Sequence, residues 1–473
     1  KVPPAAFDAM LRQAGVIRVE TVHQLFDVAQ LVVHQPLPRG QRVAIVGNSD
    51  ALGDLTAQAC VSWGLEVTHG PVSLPAEATA SDFTTALDAA FADDGVDSVL
   101  TCFTPPLVTP SQDVAHAVVE SAAKSEKPCV ATFLGMVGVT EALSGSHYLN
   151  HADRRRGDHG SDRHDSSGGD EGRSGGGERR SGGDERRTAR RAVPAYPMPE
   201  EAVRALAAAT RYGQWRDRER GVLIEPSGLD HGAAESLVEG VLADTPAGRT
   251  LTPIEAQTLL AAYGVKLWPT IRVVTADEAV AAAEQLGYPV IVKSVSPTVR
   301  HQPGLAAMRA DLRSEASVRE SFETLSARLS PLEADRFVVQ KMATPGVACV
   351  VRTSEDGVFG PVVSFSIAGP PTDLLDDIGY RIPPLTDVEV TDLISSVKAS
   401  PLLDGYRGAA PADRGALADL IARVSVLAER QADVSSLEIN PVLAHSGGVD
   451  VLGVEIVVRP STKRADAQRR ALT

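Results

Sequence analysis

The chain has 473 residues, 43% of them hydrophobic and only 4% aromatic, with a formal net charge of −15. At roughly 100–200 residues per domain, this length predicts two to four domains with packed cores. An acidic, aromatic-poor surface excludes nucleic acid and anionic lipid as partners, so an anionic ligand needs a local site of Lys, Arg, backbone N–H groups or metal.

The first strands expected are Arg42-Val43-Ala44-Ile45-Val46, then Ser98 to Phe103, then Pro128 to Phe133. Each is a largely apolar run, as in parallel strands buried on both faces. Helical patterns from Thr56 to Trp63 and from Asp113 to Ala123 separate them, which predicts a doubly wound parallel sheet over residues 1–149. The turn Gly47-Asn48-Ser49-Asp50 after the first strand opens a helix and offers an anion its N-terminus. Residues 150–191 are Gly, Ser, Asp, Arg and His with almost no apolar side chains. Such a stretch cannot offset its chain entropy by burial, so a disordered linker is expected.

Pro199 to Tyr212 reads as a helix returning to the fold, within a connector over 192–250. Thr252-Pro253-Ile254-Glu255 then supplies an N-cap, a proline at the first helical position and the glutamate of a capping box. Thr275 with Glu278, and Thr386 with Glu389, repeat that spacing. Gly287-Tyr288-Pro289 stops the second of these helices, and the strand Pro289 to Lys293 follows. Lys293 closes an apolar run, where its ammonium either meets phosphate in a cleft or is solvated. Phe359 to Phe365 is a further buried strand, leading into the small-residue loop Ser366 to Pro371. The loop holds one glycine, Gly369, ahead of two prolines that have no N–H to donate, which makes it a poor phosphate cradle. Near the end, Ser436 to Pro441 forms one arm of a hairpin turned at Gly447-Gly448. Glu438 and Asn440 share a face of that strand. They suit a Mg²⁺ ion bridging nucleotide phosphates, or are the polar side of an edge strand.

The four cysteines, Cys60, Cys102, Cys129 and Cys349, form no CxxC pair and read as small core residues, not a disulfide or zinc set. Neither a signal peptide nor a membrane-length apolar run is found, so a cytoplasmic setting is expected. The chain opens on Lys1, not Met, so a longer protein is expected.

The order Leu251 to Gly264, Gly287 to Lys293, Val338-Val339-Gln340, Phe359 to Val363, Arg381 to Leu385 and Leu437 to Pro441 resembles the ATP-grasp domain of ADP-forming acetyl-CoA synthetases. These are relatives of succinyl-CoA synthetase. The likeness is strongest to actinobacterial members fused to a GNAT-type acetyltransferase. Phe7 to Val16, Gln35 to Gly40 and Phe103 to Leu107 resemble the third, flavodoxin-like subdomain of the same family.

The resemblance implies an α/β fold, with a flavodoxin-like doubly wound sheet followed by an ATP-grasp α+β domain over 251–460 and a tail over 461–473. It implies ATP and Mg as cofactors. In the family, ATP phosphorylates a histidine on a separate subdomain, and the phosphate passes through an acyl phosphate before CoA displaces it. Carried over to this chain, Lys293, Gln340, Lys341 and Gly369 bind nucleotide, Glu438 and Asn440 hold the metal, and His301 contacts or relays the phosphoryl group. A CoA-binding and phosphohistidine part is the implied partner, in cis or in trans, within a homo- or hetero-oligomer. The family pattern is broken at Ala306-Ala307, at Ala348 and at Gly453, where glycines, a glutamate and a second metal carboxylate are expected. Asp450 and Glu455 are then the nearest acids. The alternative implied is a non-catalytic regulatory or scaffold module beside an acetyltransferase.

Overall fold

The computed structural model describes residues 3–106, 111–134, 192–296, 306–333, 336–356 and 360–461. Contacts divide the chain into two units. Residues up to Ala14 join those from Glu219 onward, and Gly15–Arg218 form the other. The first helix, α1 (Pro4–Gln13), therefore belongs with the C-terminal unit. Helix α6 (Pro199–Asp217), inside the connector expected at 192–250, belongs with the other.

The unit from Gly15 to Arg218 alternates helices and strands. In chain order these are α2 (Val22–His34), β1 (Arg42–Gly47), α3 (Asp50–Ser62), β2 (Glu66–Ser73), α4 (Ala80–Ala92), β3 (Ser98–Phe103), α5 (Ser111–Ala123), β4 (Cys129–Phe133), β5 (Ala195–Tyr196) and α6. The strands lie in the order β2-β1-β3-β4-β5, every pair parallel. This is the flavodoxin-like order, and β3 and β4 are buried at every position, as two covered faces require. One face packs on α4 and α5 through Phe83, Phe103 and Phe133. The other packs on α2, α3 and α6 through Leu31, Cys60 and the alanine-rich stripe Ala202 to Ala209. At the β1–β3 switch point, buried Asn48 donates to the carbonyls of Ala76 and Thr104 and accepts from the Thr104 N–H. Ser49 caps α3. The turn singled out in the sequence thus spends Asn48 on joining two loops and Ser49 on capping the helix. Residues 135–191, which include the expected linker, lie outside the described residues.

The C-terminal unit holds two sheets. Helix α7 (His231–Asp244), β6 (Arg249–Thr250) and α8 (Pro253–Ala262) lead into β7 (Thr270–Val273), α9 (Ala276–Leu286), β8 (Val290–Ser294), β9 (Met308–Leu312), α10 (Glu315–Leu329) and β10 (Phe337–Lys341). The smaller sheet runs β7-β10-β8-β9, all antiparallel, with α9 and α10 packed on one face. After it come β11 (Val347–Asp356), β12 (Gly360–Ile367), α11 (Pro370–Leu375), β13 (Gly379–Arg381), α12 (Asp387–Ser395), α13 (Arg414–Arg430), β14 (Val434–His445), β15 (Gly448–Val451) and β16 (Val454–Val458). The larger sheet runs β13-β12-β11-β14-β16-β6, with β15 beside β14. Its core face, carrying Val351, Val363, Phe365, Leu437 and Ile439, is packed with residues of α8, α12 and α13.

Helix starts follow the local signals. Capping boxes form at Thr252 with Glu255 and at Thr386 with Glu389, and Thr275 accepts from the Glu278 N–H. Arg249 grips Glu255 with two bonds of 2.7 Å and, with the Thr252 groups, lowers its carboxyl to about 2. Gly287 ends α9 at a φ of 78°. One expectation is corrected. Ser366 and Ile367 are strand, not loop, because the ladder to Cys349 and Val350 continues through them. The chain then enters the short helix α11, capped by Gly369 at a φ of 131°.

Helix α1 lies against β13 and the edge of the larger sheet. Ala6 and Met10 pack on Val362, Tyr380 and Ile382. Gln13 fastens its end, donating to the Ile382 carbonyl (3.1 Å) and to Glu389 (2.9 Å) and accepting from the Ile382 N–H (2.8 Å). Among the described residues no helix is long and apolar enough to cross a membrane.

Candidate nucleotide site

Lys293 is the penultimate residue of β8, and its ammonium turns sideways onto β10. Nζ donates to Gln340 Oε1 at 2.8 Å. Burial holds its pKa below the ordinary lysine value. Gln340 is 1% exposed, and its amide nitrogen donates to Thr270 Oγ1 (2.7 Å) and to the Leu452 carbonyl (3.1 Å). Leu452 lies between β15 and β16, so this one side chain ties the smaller sheet to the larger. Two further bonds join the sheets, from the Trp268 N–H to the Val451 carbonyl and from the Thr344 N–H to Asp450. Beyond Leu452, the Gly453 carbonyl accepts from the Asn440 N–H at 3.0 Å. A continuous run of bonds therefore leads from Lys293 through Gln340 and the 452–453 turn to Asn440.

Asn440 and Glu438 share a face of β14, and Asn440 Nδ2 donates to Glu438 Oε1 at 2.9 Å. Across the ladder Glu438 is in register with Glu455 on β16 and with Arg352 on β11. Arg352 Nε donates to Glu438 Oε2 at 3.2 Å. Arg352, Glu438 and Glu455 line one cleft of about 300 Å³, with Ser354, Ser364 and Ser436.

Of the two acids left open by sequence, Glu455 is the one in this cleft. Asp450 is 8% exposed and spent on the Thr344 N–H and on His445, 3.5 Å away. Gly453 cannot carry the expected carboxylate as the backbone stands, since a Cβ there would meet the Asn440 carbonyl oxygen at 2.5 Å.

Lys341 has an exposed side chain, and its backbone is committed on both sides, to the Trp268 indole and the Pro269 carbonyl. Gly369 caps a helix whose first two residues are prolines, which supply no N–H. His301 lies outside the described residues. Ala306, a few residues beyond it, holds a φ of 42°, a region that favours glycine. Arg352 was not found as a site residue from sequence, and Glu455 was left level with Asp450, because only the strand register puts them beside Glu438.

A divalent cation fits the donors on β14 and β16. Glu438 and Glu455 offer two carboxylates from one face, with the Asn440 amide beside them. Among the described residues no group of three or more His, Cys, Asp or Glu could hold a metal. A pair of carboxylates suits Mg²⁺, which takes one or two of them and fills its shell with phosphate oxygens and water.

Residues 243–458 match the family model of an ATP-grasp domain. The chain is 30% identical over 230 residues to the beta subunit of acetate–CoA ligase (ADP-forming) I of Pyrococcus furiosus, covering 97% of that subunit and 48% of this chain. This chain belongs to the ADP-forming acetate–CoA ligase family. It is also 28% identical over 476 residues to acetate–CoA ligase (ADP-forming) I of Archaeoglobus fulgidus, covering 96% of this chain and 62% of that enzyme. It thus spans about three-fifths of the length of that ligase. A solved acetyl-CoA synthetase chain of Ca. Korarchaeum cryptofilum is 28% identical, with a TM-score of 0.44 over 48% of this chain and 100% of its own. As a member of this ligase family, the chain carries the nucleotide-binding module and, ahead of it, a parallel α/β unit.

Proposed function

We propose that this chain is the nucleotide-binding part of an ADP-forming acyl-CoA ligase, which works only with a CoA-binding and phosphohistidine part in cis or in trans. The observation that carries the reading is the bonded path from Lys293 to Asn440. It ties a phosphate-seeking cation on one sheet to a carboxylate-bearing strand on the other. Phosphoryl transfer asks a protein mainly for position and charge neutralisation, and these residues supply both.

In this reading Lys293 holds nucleotide phosphate, and Gln340 fixes the ammonium in place. Glu438, Asn440 and Glu455 hold a Mg²⁺ ion, which when bound neutralises charge on the phosphates. The acid substrate is a short carboxylic acid such as acetate, by likeness to the family.

The test is thermal unfolding of the chain with and without Mg-ATP, with Lys293→Ala as control. At about a hundred times its dissociation constant, a ligand stabilises the domain that binds it by about 2.7 kcal/mol. A Mg-dependent shift that the variant loses is expected. The same shift in both proteins, or in neither, refutes the reading.

A further inference from the structure

The cleft on the larger sheet contains an arginine to which the nucleotide and metal roles give no part. Among the described residues lining it, Arg352 is the single cation, against the carboxylates of Glu438 and Glu455. It meets Glu438 through Nε alone, and among the described residues its terminal nitrogens make no hydrogen bond. The two side chains are 34% and 38% exposed. An ion pair this wet is weak and readily exchanged. A guanidinium with two idle nitrogens is suited to grip phosphate through two parallel bonds, which are stronger.

The charges require an exchange. Two carboxylates on one face repel a polyphosphate. A divalent cation offsets them, but in taking Glu438 it removes the partner of Arg352. Of the other residues lining the cleft, Ser354, Ser364 and Ser436 are uncharged, and Glu455 stands on β16, beyond β14 from Arg352.

We propose that Arg352 binds the polyphosphate of the nucleotide, trading Glu438 for phosphate oxygens as the cation takes Glu438. The proposal rests on the reading of this chain as a nucleotide-binding part.

Titration calorimetry of the full chain tests it. Arg352→Gln is expected to weaken Mg-ATP binding by about tenfold or more, the size of a lost bond to a charged group. Its melting temperature without ligand should stay at the wild-type value, and Arg352→Lys should recover part of the affinity. Glu438→Gln should bind ATP more tightly than wild type when no metal is present, because the carboxylate that competes for Arg352 is gone. Unchanged Mg-ATP affinity in Arg352→Gln overturns the proposal. So does a loss matched by a lower melting temperature and not recovered by lysine, which marks a purely structural arginine. If the wild-type chain binds no Mg-ATP, the nucleotide reading fails and this proposal with it. If wild type binds and Arg352→Gln binds equally well, only this proposal fails.

Discussion

Two cations of the C-terminal unit, Lys293 and Arg352, stand on strands and are each bonded to an oxygen on a neighbouring strand. Lys293 is tied to a neutral amide that is itself buried and fully bonded. Arg352 is tied to a carboxylate in a half-open cleft. The buried pair is fixed, because among the described residues the Gln340 amide oxygen has no other partner if the ammonium leaves. The open pair is exchangeable, because water can replace either member at little cost. One site thus combines a preset charge with a charge that can be redirected.

Gln340→Leu breaks the fixed side of this contrast and should have the largest effect on stability. It strands the Lys293 ammonium and takes a donor from the Leu452 carbonyl, and a buried group left without a partner costs about 1–3 kcal/mol. Chemical unfolding of the apo chain should show a loss of at least about 2 kcal/mol. Glu438→Gln, by contrast, should cost no more than about 1 kcal/mol in the same assay. Equal losses would erase the distinction.

Gly453→Asp would restore the carboxylate that the family pattern leads one to expect, and so sharpens the contrast. Its Cβ has to push back the Asn440 carbonyl, at 2.5 Å in the present backbone. Overpacking of this kind costs about 1–3 kcal/mol. A lower melting temperature with no gain in Mg-ATP affinity is expected.

The smallest effect is in pH. Burial lowers the pKa of Lys293. Between that lowered value and the ordinary lysine value of about 10.4, the unfolded chain binds more protons than the folded one, so apo stability rises with pH across this window. A phosphate beside Lys293 pulls its pKa back up, so nucleotide binding takes up protons there and weakens as pH rises. Calorimetry in buffers of different ionisation enthalpy measures the uptake, and Lys293→Arg should abolish it.

Much of this was legible in the sequence, where the signal was local. The capping threonines at 252, 275 and 386 each sit three residues before their glutamate, and continuous apolar runs marked β1, β3 and β4. Lys293, Glu438 and Asn440 could be singled out from their strands alone. What stayed hidden depends on pairing across long separations. Arg352 and Glu438 are 86 residues apart and meet only through the β11–β14 register. The choice between Asp450 and Glu455 turns on which strand faces which, and the inward turn of Gln340 on where Leu452 falls. Ser366 and Ile367 read as loop because small residues and prolines crowd there, and only the ladder to β11 makes them strand.

Helix α1 has a practical consequence. Its residues precede the parallel α/β unit in the chain, yet Met10 and Gln13 are fastened to β12, β13 and α12. A fragment cut at Glu219 to isolate the ATP-grasp module would lose that covering and bare Val362 and Tyr380. Supplying residues 1–14 as a separate peptide should restore it, so the module is best produced as two pieces that find each other.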